Sequence, residues 1–414
     1  MNTKYNLVHI TTSGEYKAPL VASQLFDQAE TQATVKEGLV PQKVEAWILG
    51  TMREYWDKAA QEKVTSLKKR CPHINIRMIN GIGKLKGFPA EQMMIAARKN
   101  LGTDIPVIYH CRGESAALKA SFLKSKFPND KIVLDVRGFW PAESLYNKGI
   151  EYPELATGAD KTNYDNHLSN LKKAVAAIDG ITTVSQALRQ LLIDVAGAPL
   201  SCCVVPCCVT TVPNDSMRAK WRNEWGIKDD EKIVVYSGTT AAYQHLGDLT
   251  IPFMKEFAAQ NPKVKLAFFS SEIDKIKALL KTAGIDENTV LLKKFTQQEV
   301  AGALTACDAG ILIRKPTLVN RVANPVKIAE YLAAGLPIII EKGVGGVSDE
   351  MFEKNLLYGI SLTQENWTTD WNNINRWIGS AANLRTEVRE YVNKVYLWKS
   401  AIQVSREMYR KLLS

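Results

Sequence analysis

The sequence predicts an α/β protein built from two doubly wound, parallel-sheet domains, and three observations predict it. At 414 residues the chain is too long for one typical core. Apolar strand-like runs alternate with helical segments through the first half, and the same alternation starts afresh near residue 211. The tail, residues 386–413, is amphipathic and too long to be one more strand–helix step, so it is expected to cross back onto the first domain. The expected division is therefore 1–210 together with 386–414, and 211–385.

The elements follow in order. Leu7-Val8-His9-Ile10 reads as a strand, then a Ser13-Gly14-Glu15 loop and a helix over 19–29. Strands follow at 44–49, 74–78, 107–110, 132–136, 180–184 and 203–206, spaced by helical segments. In the second half Lys232-Ile233-Val234-Val235-Tyr236-Ser237-Gly238 is a first strand ending in a glycine loop. Further strands read at 264–269, 289–292, 309–313 and 338–340. Between the last two lies a short helix with start and stop signals. Asn324 suits the N-cap, Pro325 the first turn, Gly335 the position after the end, and Pro337 blocks continuation.

Composition narrows the class. Hydrophobic residues make up 46% and charged residues 23%, ordinary globular usage. No apolar run approaches the roughly 20 residues that span a bilayer. The first residues lack the long apolar core of a signal peptide, so a cytoplasmic protein is expected. Seven cysteines include the adjacent pairs Cys202-Cys203 and Cys207-Cys208, which do not match metal-knuckle spacing, so no metal site is expected. The net charge of +10 suits nucleic acid, an anionic membrane or a phosphorylated substrate. It is spread over small clusters: Lys68 to Arg70, Lys84 with Lys86, and Lys119, Lys124 and Lys126 on a helix over 114–127. A solvated helix face and a face for peripheral membrane contact both fit that last cluster.

In open α/β sheets ligands lie beyond the C-terminal ends of the strands, so the residues there are the candidates. In the second half these include Ser237, Gly238 and Thr239, Arg314, and the helix start carrying Asn324, Lys327 and Glu330. Lys327 falls in a helical first turn, where free N–H groups and the dipole attract anions. Glu330 and Tyr331 share its face. A phosphate at the helix start with a carboxylate one turn deeper describes a nucleotide-sugar site. In the first half the candidates are Ser13, Gly14 and Glu15, then His110 with Arg112, and Asp135 with Arg137. There is no Gly-x-Gly-x-x-Gly after a strand, no Walker lysine loop and no Gly-x-Ser-x-Gly elbow.

Several of these segments resemble the retaining glycosyltransferases of family 4. Val235-Tyr236-Ser237-Gly238 resembles the strand and loop that open that family's donor domain, and Ala306 to Arg314 resembles its later strand. Asn324-Pro325-Val326-Lys327-Ile328-Ala329-Glu330-Tyr331-Leu332-Ala333-Ala334-Gly335-Leu336-Pro337 is similar to the branch with an S/N-P-x-K-x-x-E-Y signature. Val184-Ser185-Gln186-Ala187-Leu188 and Val204 to Val209 resemble its inter-domain segments. The chain departs from the wider pattern at Val322, where a first glutamate is usual, and in residues 239–245, which lack the usual Arg and Lys.

The resemblance implies the GT-B fold, two Rossmann-like domains facing across a cleft, and transfer of a sugar from a nucleoside-diphosphate donor to a glycan or lipid-linked acceptor. It implies retention of anomeric configuration and a role in surface polysaccharide synthesis at the inner face of the membrane. No metal, cofactor or nucleic acid enters that expectation. Ser237, Gly238, Thr239, Arg314, Asn324, Lys327 and Glu330 would hold the donor, with Lys327 stabilising the departing diphosphate and His110 near the donor sugar. Asp135 either pairs with Arg137 or orients an acceptor hydroxyl. Ser13, Gly14, Glu15, Arg112 and Arg137 would hold the acceptor. A nucleotide-sugar epimerase of the same fold and a non-catalytic nucleotide- or glycan-binding protein are the alternatives.

Overall fold

The computed structural model describes residues 4–81, 90–197, 201–361 and 371–414. The basic residues Lys84 and Lys86 lie outside them. The chain divides into two compact units. The first comprises Met1–Pro141, Gly158–Thr210 and Leu397–Ser414; the second comprises Ala142–Thr157 and Thr211–Tyr396.

Two of these bounds differ from the sequence expectation. The helix Trp371–Val395 is continuous and stays with the second unit, so the return to the first begins at Leu397 rather than at 386. Leu397 is extended and starts the separate helix Trp398–Leu413. Residues 142–157 belong to the second unit because their side chains are tied there. Glu151 pairs with Lys315 at 2.9 Å and the Tyr146 hydroxyl meets His245 Nε2 at 2.6 Å.

In the first unit the strands are β1 (Asn6–Thr12), β2 (Val44–Thr51), β3 (Asn75–Gly81), β4 (Val107–Arg112), β5 (Lys131–Val136), β6 (Gly180–Thr183) and β7 (Cys202–Val204). They form one parallel sheet in the order β3-β2-β1-β4-β5-β6-β7. The segment expected as one helix from residue 19 contains a π-helical stretch, Ala22–Phe26, before the α-helix Asp27–Thr34. Trp398–Leu413 packs on that helix. Its buried Arg406 donates to Gln32 Oε1 at 2.9 Å and to the carbonyls of Gln32 and Val35.

In the second unit β8 (Lys232–Ser237), β9 (Val264–Phe269), β10 (Leu291–Lys293), β11 (Ala309–Leu312), β12 (Ile338–Glu341) and β13 (Leu357–Ile360) form a parallel sheet in the order β10-β9-β8-β11-β12-β13. β13 was not foreseen; it is four residues long with Gly359 inside it. Both orders reverse direction once, between β1 and β4 and between β8 and β11, and such reversals are where doubly wound sheets leave a crevice.

The edge opposite each crevice is secured the same way. An aspartate just before a strand accepts a backbone N–H and an arginine. Asp130 takes the Val107 N–H at 2.9 Å and Arg98 at 2.6 Å. Asp308 takes the Ile233 N–H at 2.8 Å and Arg218 at 2.7 Å.

The helix Val326–Ala333 follows β11. Its start differs from expectation: Pro325 is the N-cap, and the Asn324 side chain instead donates to the Gly346 carbonyl at 3.1 Å. A proline N-cap offers no side-chain acceptor to the first N–H groups. The end is as the sequence predicts. Gly335 is left-handed at φ 75°, and its N–H and that of Leu336 return to the Leu332 and Tyr331 carbonyls at 2.9 Å, a Schellman closure. Ile328, Ala329, Tyr331 and Leu332 bury the inner face completely.

That face depends on Gly310 in β11. A Cβ there would lie 2.5 Å from the Tyr331 ring, so only glycine lets the ring lie against the strand. Gly310→Ala is expected to cost about 1–3 kcal/mol by overpacking. Urea unfolding of the second unit should show a lowered midpoint with unchanged slope; an unchanged midpoint would contradict this packing.

Candidate functional site

The crevice between β8 and β11 brings together side chains from four separate segments. Lys327 comes from the first turn of Val326–Ala333, Arg314 from two residues beyond β11, and Gln244 from the turn Ala242–Gln244. Lys327 Nζ donates to Gln244 Oε1 at 3.0 Å, and Arg314 Nη2 donates to the same oxygen at 2.6 Å. Lys327 Nζ lies 4.1 Å from the Tyr236 ring centroid, and the Arg314 guanidinium 5.5 Å from that of Tyr243. All three hub residues are buried. Arg314 Nε is buried with no hydrogen-bond partner among the described residues.

Two buried cations thus share one neutral oxygen and two aromatic faces, and among the described residues no carboxylate is hydrogen-bonded to either. Burial, then the neighbouring Arg314 charge, pushes the Lys327 ammonium well below its ordinary pKa, with Glu330 opposing. Burial also lowers Arg314. Glu330 is half-buried and its carboxylate makes no hydrogen bond among the described residues; burial raises its pKa and Lys327 opposes that.

The loop after β8 is shaped around the lysine. Gly238 has φ 150°, and a Cβ on it would stand 2.3 Å from Lys327 Cε and Nζ. Ser237 N–H donates to the Tyr331 hydroxyl at 2.7 Å, and the Tyr236 hydroxyl donates to the Thr239 carbonyl at 2.5 Å. Glu272 then receives Thr240 N–H at 2.6 Å. On the other side, a Cβ on Gly345 would stand 1.9 Å from the Arg321 carbonyl oxygen, so the loop after β12 lies directly against the chain entering the lysine helix. The structure therefore brings Ser237, Gly238, Thr239, Arg314 and Lys327 together, with Glu330 on the same helix. Asn324 serves as a strut to Gly346 rather than as a cap.

His245 lies in the loop after β8, where a donor-phosphate contact would be possible. Its ring is instead held between Tyr146 at 2.6 Å and Asp248 at 2.8 Å. Gln244, Tyr236 and Tyr243 were missed as site residues. Residues 239–245 contain no Arg or Lys; what that loop contributes is an acceptor, the Gln244 side-chain oxygen.

The crevice between β1 and β4 is charged differently. Arg137 Nε donates to Asp135 Oδ2 at 2.8 Å, and Thr182 donates to Asp135 Oδ1 at 2.7 Å. Burial alone would raise the Asp135 pKa, but Arg137, then His110 and Arg112, hold it well below the usual carboxylate range. Of the two sequence readings, the structure contains the ion pair with Arg137. His110 also departs from expectation. It is buried, with Nδ1 2.6 Å from the Tyr409 hydroxyl and its ring 4.9 Å from that of His9. β4 runs on to Arg112, so His110 lies two residues inside the strand, and its ring packs in the interior of the first unit. Arg112 Nε lies 4.0 Å from Glu15 Oε2, and Glu15 also accepts from Thr11 at 3.2 Å. Burial lowers Arg112. Ser13 N–H bonds to the Leu49 carbonyl, and a Cβ on Gly14 would meet nothing. Arg112 Nη1 and Arg137 Nη2 remain buried without partners.

Among the described residues, no cluster of three His, Cys, Asp or Glu could hold a metal ion, and no helix is long and apolar enough to cross a membrane.

Residues 217–395 match the family model described as glycosyl transferases group 1. That segment lies inside the second unit and contains the Lys327–Arg314–Gln244 cluster. No curated protein matches the chain. Solved structures match along its length. Sucrose-phosphate synthase from Thermosynechococcus elongatus is 15% identical with a TM-score of 0.67, covering 99% of both chains. Anabaena HepE in complex with UDP is 14% identical with a TM-score of 0.64, covering 98% of this chain and 99% of that one. WaaG, a glycosyltransferase involved in lipopolysaccharide biosynthesis, is 11% identical with a TM-score of 0.56, covering 97% and 99%. The two parallel sheets with interleaved helices are the GT-B fold.

The lysine's environment predicts a pH effect. Its pKa is lower in the folded chain than the ~10.4 of an unfolded lysine, so between those values the unfolded chain binds the extra proton. Raising pH through that window should therefore stabilise the wild type relative to Lys327→Met, in which this group is absent. Urea titrations of both proteins across the window test this; parallel stability–pH profiles would contradict the assigned environment.

Proposed function

We propose that this protein is a glycosyltransferase that moves a sugar from a nucleoside-diphosphate donor to a glycan or lipid-linked acceptor. The observation that carries the reading is the pair of buried cations at the β8/β11 crevice, Lys327 and Arg314, which no carboxylate among the described residues hydrogen-bonds. An uncompensated buried charge is costly to keep unless a ligand completes it. A diphosphate supplies the missing negative charge, and Arg314 Nε supplies an unused donor. The N–H groups at the start of Val326–Ala333 favour the same kind of ligand. The family model over 217–395 and the UDP bound by HepE support a nucleotide donor.

Cleaving the anomeric carbon–oxygen bond builds charge on the departing diphosphate. Lys327 and Arg314 would stabilise that charge as it develops, without reorganising, because both are already held against Gln244. Glu330, one turn deeper on the same helix face, would accept hydroxyls of the nucleotide ribose. Loss of the diphosphate with attack from the same face would retain the anomeric configuration. A growing surface polysaccharide is the acceptor that the resemblance supports, and WaaG is a fold neighbour with a lipopolysaccharide role. The basic chain suits contact with the inner face of a membrane.

Incubation with a panel of nucleotide sugars, UDP-sugars first, separates this reading from its rivals. Release of nucleoside diphosphate with sugar transfer supports it. An isomerised nucleotide sugar would indicate an epimerase, and saturable binding without turnover a binding protein. Lys327→Ala should lower the transfer rate about 10²–10³-fold, the usual effect of losing one transition-state donor. Turnover equal to wild type in a folded Lys327→Ala variant would remove the lysine from the mechanism.

A further inference from the structure

The first unit contains a cavity of about 670 Å³ lined by none of the candidate site residues discussed so far. That is within the roughly 300–1,000 Å³ of small-molecule sites. Three helices wall it. Ala90–Lys99 contributes Glu91 and Met94, Glu114–Lys126 contributes Glu114, Leu118 and Phe122 at four-residue spacing, and Gly158–Ala176 contributes His167 and Asn170. Trp140, at the start of Trp140–Tyr146, completes the lining.

Trp140 is 46% exposed, although an indole normally buries most of its surface. The edge-on His167 ring, 5.8 Å away, fixes its orientation. Leu118, Phe122 and buried Met94 form an apolar floor beside it. Around that floor stand two carboxylates, Glu91 and Glu114, and the Asn170 amide. Among the described residues Glu114 has no side-chain hydrogen-bond partner, only its own backbone N–H and the charge of His167. On a chain with net charge +10 this cavity carries two acids against Lys119. It is therefore unsuited to a phosphate, a diphosphate or an anionic lipid headgroup. An uncovered aromatic face next to carboxylate and amide groups fits a neutral ring with apolar C–H faces and a girdle of hydroxyls.

We propose that this cavity binds a pyranose ring, stacked on Trp140 and hydrogen-bonded through its hydroxyls to Glu114 and Asn170. That the ring belongs to the acceptor rests on the transferase reading above; the carbohydrate preference does not.

Saturation-transfer NMR and calorimetry on the intact protein test it, with methyl glycosides and disaccharides of glucose, galactose, mannose and N-acetylglucosamine as probes. At least one should bind. Trp140→Ala and Glu114→Gln should each weaken it about tenfold, and Trp140→Tyr should restore most of the loss by keeping an aromatic face. The proposal is overturned if no saccharide binds, if both variants bind like wild type, or if choline occupies the cavity in preference to every saccharide. UDP-sugar binding, measured on the same samples, reports separately on the transferase reading. Saccharide binding without it supports the cavity as a carbohydrate site and removes only its acceptor role.

Discussion

The second unit is organised around two positive charges that share one uncharged acceptor. Lys327 and Arg314 both reach Gln244 Oε1, and among the described residues no carboxylate joins them. An amide oxygen satisfies hydrogen bonds but cancels no charge, so the local potential stays positive inside a poorly solvated pocket. The surrounding architecture keeps that arrangement in place. Gly238 gives up its side chain to the lysine, Tyr331 fastens the β8 loop through Ser237, and Gly310 gives up its own side chain to Tyr331. Each is a local sacrifice that makes sense only if the lysine's position matters.

The first unit repeats the topology without repeating the electrostatics. Its reversal point also gathers arginines at strand ends, yet Asp135 pairs with Arg137 and Glu15 stands near Arg112. Those pairs neutralise much of the charge that the second unit leaves open. The two crevices are therefore not interchangeable. Among the described residues, one holds two cations on a neutral amide, whereas the other pairs its arginines with carboxylates and leaves Arg112 Nη1 and Arg137 Nη2 without partners. Fold topology alone would have treated them alike; the carboxylate count distinguishes them.

Much of this was legible in the sequence, for definable reasons. Alternating apolar runs and helical segments gave both parallel sheets, because strands covered on both faces are continuous and apolar. Gly335 and Pro337 marked the end of the lysine helix because a left-handed residue and a blocked N–H have few other uses. What escaped was whatever depends on side-chain direction or on distant partners. Asn324 has the chemistry of a cap, but its amide found the Gly346 carbonyl 22 residues away. His110 lies two residues inside β4, and its partner is Tyr409, 299 residues on. Gln244 carries no charge and sits in no motif, so nothing local distinguished it from a solvated loop residue. The tail was read as helical, but only Leu397 in an extended conformation shows where one helix ends and the return begins.

The helix bearing Lys327 shows how the site is held without ion pairing. At its C-terminal end Arg385 donates to the Ala334 carbonyl at 3.2 Å, beside the Schellman closure. At its N-terminal end Gly345 and Gly346 bring their backbone against residues 321–324, so close that any side chain would collide. Backbone packing and helix termination thus determine where the ammonium sits. Had a carboxylate done so instead, the lysine would be positioned at the expense of its free charge, and an incoming anion would have to displace that partner. Fixing the cation through the backbone keeps it both placed and available, which is the arrangement that preorganised stabilisation of a departing anion requires.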